Sequence, residues 1–177
     1  MRAGALLDSG EGRRAASTES VDAWHCRRGR MNYELYMAEA IAEARRGGEE
    51  GEWPVGAVAV LDDAMIARDH DRMLLQRDPT AHAVLLCLQA TARKLDSRRL
   101  TEITIFTTHE PCPMCVGALV EAQVGGLVYA VPDERRGAAG SVVQLARDTA
   151  LPHQLSVISG VREAEARRLE SEAPATA

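Results

Sequence analysis

Aromatic residues make up only 3% of this 177-residue chain: one Phe, two Trp and three Tyr. Any core must therefore be assembled mainly from Val, Leu, Ile and Ala. Lysine occurs once, at Lys94, and every other basic side chain is arginine. No apolar run approaches the ~20 residues of a membrane span, and the N-terminus lacks the continuous apolar segment of a secretory signal. The four cysteines are Cys26, Cys87, Cys112 and Cys115. Cys26 sits in a polar stretch and Cys87 on the apolar face of a helical pattern, which argues against a disulfide framework and for a reducing cytoplasm. A basic excess is also missing. The formal net charge is −5, with residues 1–30 contributing +2 and residues 31–177 the remaining −7. Tight nucleic-acid binding usually leaves a basic footprint, so the bulk charge argues against a strong nucleic-acid binder and leaves room only for a local patch.

What remains is the composition of one soluble domain: 46% hydrophobic and 27% charged residues. Residues 1–30, rich in Gly, Ser, Arg and Ala, read as a flexible leader, with Met1 and Met31 both open as the start. Residues 31–172 read as the ordered domain and 173–177 as a disordered tail. Apolar residues at three- and four-residue spacing from Asn32 (Leu35, Tyr36, Ala38, Ile41, Ala42) predict a helix that ends at Gly47-Gly48. Residues 54–61 read as a buried strand, Asp62-Asp63 as a turn and Met65–Ala67 as its hairpin partner. Residues 69–80 read as a polar loop. Helices are then expected over 81–94, 113–123 and 161–171, and strands over 103–107, 126–131 and 155–158. Helices alternating with strands after an opening hairpin imply an α/β domain with a mixed sheet covered by helices.

The chemistry concentrates at Pro111-Cys112-Pro113-Met114-Cys115, where a strand feeds a helix. Two cysteines three apart at a helix start can aim both sulfurs at one point, and the helix N-terminus favours their thiolate forms. A redox dithiol uses the same order of elements. His82, at the start of another helix after Asp78-Pro79-Thr80, tips the reading to a metal. One imidazole and two thiolates leave a fourth zinc position open, the arrangement of a catalytic site.

These residues resemble the zinc-dependent nucleobase deaminases, most closely the bacterial tRNA adenosine deaminases that make inosine at the wobble position. The resemblance covers residues 33–170. It rests on Pro54-Val55-Gly56-Ala57-Val58, on Asp78-Pro79-Thr80-Ala81-His82-Ala83, and on residues 110–119, Glu110 to Leu119 around the two cysteines. Gly137-Ala138-Ala139-Gly140-Ser141 and His153 complete the set. The resemblance implies a three-layer cytidine-deaminase-like fold with a mixed five-stranded sheet, and one Zn²⁺ per chain held by His82, Cys112 and Cys115. It further implies substrate contacts near Asp71 and Ala57, and a homodimer or a heterodimer with a deaminase paralogue.

Three positions depart from the family pattern. The family's proton-shuttle glutamate, two residues after the histidine, is here Val84, a hydrocarbon that can neither take nor give a proton. Valine there resembles the non-catalytic subunit of the eukaryotic two-subunit tRNA adenosine deaminase. The family's base-holding asparagine is here Asp71, which loses the amide donor and introduces a carboxyl able to carry protons when desolvated. The tail, Arg167-Arg168-Leu169-Glu170-Ser171-Glu172, offers no aromatic group to stack on RNA. Of the remaining candidates, His109 is a weaker proton carrier than Asp71 and reads rather as a surface residue, Glu110 reads as structural, and Arg135-Arg136 as phosphate contacts or a solvated pair. The expectation is a zinc-binding tRNA adenosine deaminase-like protein with impaired catalysis. The alternatives are a non-catalytic partner of an active paralogue, or a small-molecule purine or pyrimidine deaminase that uses Asp71.

Overall fold

The computed structural model of the protein describes residues 31–171. The leader and the tail anticipated at 1–30 and 173–177 lie outside the described residues. The elements run α1 (Tyr33–Glu49), β1 (Gly56–Leu61), β2 (Ala64–His70), α2 (Met73–Gln76), α3 (Ala83–Leu95), β3 (Thr104–His109), α4 (Pro113–Glu121), β4 (Gly126–Val131), β5 (Ser156–Ser159) and α5 (Glu163–Ser171). Their order in the five-stranded sheet is β2-β1-β3-β4-β5. β1 is antiparallel to β2 and β3, whereas β3, β4 and β5 are parallel.

Alternation along the strands builds two cores, one on each side of the sheet. Ala57, Ala59, Ile105, Leu127 and Tyr129 pack with α3 and α4, through Val84, Leu88, Val116 and Leu119. Val58, Val60, Phe106, Val128 and Ala130 pack with Met37, Ala40 and Ile41 of α1 and Ala166 of α5. Both faces being covered, β1, β3 and β4 are almost continuously buried; β1 and β4 are apolar throughout, whereas β3 also buries Thr104, Thr107 and Thr108. Three of the six aromatics meet in the second core, where Tyr33 and Tyr36 lie 6.0 and 5.4 Å from Phe106. α1 approaches β1 so closely at Gly56 that a Cβ there would fall on the Ala40 carbonyl oxygen and 2.5 Å from the Ala44 nitrogen. The Asp62-Asp63 turn holds both residues at positive φ, 47° and 60°, the conformation that matches the twist of a two-residue hairpin.

Three expectations need correction. α1 runs through Gly47 and Gly48 to Glu49, because tertiary packing there overrides the intrinsic cost of glycine. The 69–80 stretch is not a plain loop: β2 extends to His70, and a one-turn helix, α2, follows Asp71. Glu52 stabilises that turn, its carboxylate accepting from the N–H groups of Leu74 and Leu75 at 3.1 and 2.7 Å. α3 starts two residues later than predicted, since His82 takes the extended N-cap conformation instead of joining the helix.

Candidate metal centre and cavity

Two helix N-termini converge at the ends of β2 and β3. His82 is the N-cap of α3 and Cys112 the N-cap of α4, with Pro113 as the first helical residue and Cys115 one turn in. The His82 side chain makes no cap hydrogen bond to its own helix, and the Cys112 sulfur turns toward Cys115 and His82. His82 Nδ1 lies 3.8 Å from Cys112 Sγ and 3.6 Å from Cys115 Sγ, and the sulfurs are 3.7 Å apart. A tetrahedral zinc with Zn–S of about 2.3 Å and Zn–N of about 2.05 Å requires S···S near 3.8 Å and S···N near 3.6 Å. The triangle of donors therefore fits that ion. It does not fit a disulfide, whose sulfurs would sit about 2.05 Å apart; Cys87, Cys112 and Cys115 are all free. These three residues, His82, Cys112 and Cys115, form the metal-capable group found among the described residues.

The electrostatics agree. The Cys115 thiol, acting against desolvation, and then His82 hold the Cys112 thiol at about 3. The same contact with Cys112, followed by burial, pushes Cys115 upward. Two thiolates this close repel each other, and a cation placed between the sulfurs would offset that repulsion. Cys87 has no such role: burial pushes its thiol up to about 12.

The three donors line a cavity of about 330 Å³, walled also by Trp53, Val55, Asp71, Val84, His109 and Arg135. Val84 sits in this wall in the first turn of α3, 3% exposed, and belongs to the first core cluster. Asp71 is 4% exposed, and its Oδ1 accepts from the first free N–H of α3, that of Ala83, at 2.6 Å. Burial pushes its carboxyl up to about 6, partly opposed by the Ala83 hydrogen bond and by His82. Ala57 does not reach the cavity. It is fully buried in the sheet opposite Thr107, and Val55, two residues earlier, forms the wall instead.

Glu110 is consumed by the fold. Its carboxylate is 2% exposed and accepts from the N–H groups of Asp133, Ala139 and Ser141 at 3.0, 2.9 and 3.1 Å, and from the Ser141 hydroxyl. It thereby fixes the 133–141 segment, which carries Asp133, Arg135 and Arg136 to the cavity. His109 is not a surface residue. It lines the cavity, with Nδ1 2.6 Å from Glu170 and Nε2 3.3 Å from Asp133. The period of two along β3 puts Ile105, Thr107 and His109 on one face, and that signal was available in the sequence. The partners of His109 were not.

Comparison with known proteins agrees with the fold and with a zinc-binding region that spans these residues. The cytidine and deoxycytidylate deaminase zinc-binding region matches residues 30–131. The chain belongs to this family. It is 40% identical over 132 residues to the tRNA-specific adenosine deaminase of Bacillus subtilis, covering 75% of this chain and 82% of that one. It is also similar to a structure from studies of A-to-I editing by tRNA:A34 deaminases at the wobble position of transfer RNA. That similarity has a TM-score of 0.74 at 36% identity, covering 76% of this chain and 98% of the other. A guanine deaminase structure from Bacillus subtilis aligns with a TM-score of 0.56 at 34% identity, over 58% of this chain and 66% of the other. The chain is thus a deaminase-family protein with a zinc-binding domain. Among the described residues, no helix is long and apolar enough to cross a membrane.

Proposed function

We propose that the protein is a zinc-binding, tRNA adenosine deaminase-like chain whose own turnover is impaired. One observation carries this reading: Val84 occupies the cavity wall beside the metal donors, where hydrolytic deamination needs a proton carrier. When bound, the metal supplies Lewis-acid activation of water. The remaining work is to move protons: one from the attacking water to the ring nitrogen, and one to the departing ammonia. The Val84 isopropyl group can do neither. Glu110, with four hydrogen bonds to the 133–141 segment, is not free to replace it. Asp133 accepts from the N–H groups of Arg135 and Arg136 and pairs with His109. General acid–base catalysis is worth ~10²–10⁴ in rate, and loss of a carrier that serves several transfers belongs at the upper end.

Asp71 supports a second reading. Its carboxyl lines the same cavity, with a pKa of about 6 and one oxygen that accepts the Ala83 N–H. The other oxygen is the candidate to carry protons, in a deaminase acting on tRNA or on a smaller purine or pyrimidine. A chain that keeps its metal donors without the carrier also suits the role of partner to an active paralogue. Met114 between the ligand cysteines, and Val142 and Val143 beyond Ser141, expose apolar surface for such a contact.

The test is inosine formation on tRNA with a wobble adenosine, and ammonia release from free bases and nucleosides, by the native chain and by Val84→Glu. The expected result is a gain of about 10³-fold or more in the variant. Native turnover within tenfold of Val84→Glu would overturn the impaired reading. If Asp71→Asn then abolished that turnover, Asp71 would be assigned as the carrier.

A further inference from the structure

The imidazole of His109 joins three parts of the fold that are far apart in sequence. It sits at the end of β3, where it lines the cavity. Its Nδ1 meets Glu170, one residue from the end of α5, at 2.6 Å. Its Nε2 meets Asp133, in the turn after β4, at 3.3 Å. Asp133 in turn accepts the N–H groups of Arg135 and Arg136 at 2.8 and 3.0 Å, and both arginines line the cavity. All three linked side chains are sheltered, with side-chain exposures of 20% for His109, 19% for Glu170 and 9% for Asp133. Apolar packing of α5 comes from Ala166 and Leu169 against the second core, and its Glu165 pairs with Arg162, which bonds the Glu34 carbonyl of α1. Ala166 is its buried residue, and its Arg167 is spent on Glu163 of the same helix.

We propose that His109 is a positioning residue: the Glu170–His109–Asp133 chain latches the C-terminal helix to the turn that carries Arg135 and Arg136 into the cavity. Both ring nitrogens face carboxylates, so the chain is complete only with both N–H groups present, that is, with the imidazolium. The charged groups facing the ring are Glu170 from α5, Asp133 from the turn after β4, and Asp71 from the connection between β2 and α2. Arg136 approaches the Asp133 carboxylate at 3.8 Å from its solvent side. Burial alone would lower the His109 pKa, but Glu170 and then Asp133 outweigh it and hold it above the ordinary histidine value. A raised histidine pKa stabilises the folded state below the unfolded pKa, and that contribution is lost as pH rises through the folded one. The latch is therefore closed at low pH and released at high pH. For substrate, this rests on the reading of the cavity as the deaminase site.

Hydrogen exchange of the full zinc-loaded chain, corrected for intrinsic rates, tests the latch without relying on activity. In Glu170→Gln, protection of the α5 amides and of the Arg135 and Arg136 amides should fall together by about tenfold, the effect of losing one charge-assisted hydrogen bond. Glu163→Gln, on the same helix but paired only with Arg167, should leave Arg135 and Arg136 unchanged. The native chain should show the same joint loss as pH is raised from below the ordinary histidine range to well above it. This pH series also decides the matter if Glu170→Gln fails to fold. Loosening of α5 with Arg135 and Arg136 unaltered would overturn the proposal, because His109 would then only dock the helix. In the Val84→Glu background, Glu170→Gln should raise KM for wobble-adenosine tRNA more than it lowers kcat. If Val84→Glu has no turnover, the functional reading fails while the exchange data still decide the latch.

Discussion

Replacing Glu110 by glutamine changes one atom and separates a structural carboxylate from a catalytic one. In the native fold Oε1 accepts the Ala139 and Ser141 N–H groups, while Oε2 accepts the Asp133 N–H and the Ser141 hydroxyl. The substituted amide can present an oxygen to only one of these pairs. With oxygen kept at the Oε1 position, the new NH₂ faces the Asp133 N–H, donor against donor, while the Ser141 hydroxyl can rotate to accept. One buried N–H left unpaired costs about 1–3 kcal/mol, and the bonds that remain lose their charge assistance, about 1 kcal/mol more. The expected destabilisation of Glu110→Gln is thus about 2–4 kcal/mol. It should appear in urea unfolding of the zinc-loaded protein as a lower midpoint at unchanged slope. The alternative orientation, with NH₂ toward the Ser141 and Ala139 amides, leaves two buried donors unpaired and costs more. A stability change within about 0.5 kcal/mol, accompanied by loss of any deaminase turnover, would refute this assignment and make Glu110 a proton carrier.

Two further outcomes follow from the packing and the donor geometry. The purified protein should hold about one zinc per chain by elemental analysis, and His82→Ala should lose it, because two thiolates alone cannot close the site; retention of full zinc by that variant would remove His82 from the ligand set. Gly56→Ala should destabilise the fold by about 2–3 kcal/mol or more in thermal unfolding, since its Cβ meets backbone atoms of α1 that have no rotamer to give way; a change below about 0.5 kcal/mol would contradict the close approach of α1 to β1.

The sequence alone carried the sheet and the metal donors, because both are written in local spacing. Apolar runs over 126–131, with the alternation that divides Leu127 and Tyr129 from Val128 and Ala130, determined a strand buried on both faces. The interval between Cys112 and Cys115 at a helix start brought two sulfurs together, and the family pattern added His82. Val84 was legible for the same reason, lying two residues from a recognisable ligand. Only the tertiary structure decided what the polar groups around the site do. Asp71 meets the α3 N-terminus 12 residues away, Glu110 takes donors 23 to 31 residues away, and His109 pairs with Glu170 across 61 residues. No local pattern encodes such partners, since a buried carboxylate or imidazole is satisfied by whichever donors and acceptors the fold brings within about 3 Å. For that reason Ala57, placed at the site by its motif, belongs to the core, and His109, placed at the surface, stands in the cavity wall.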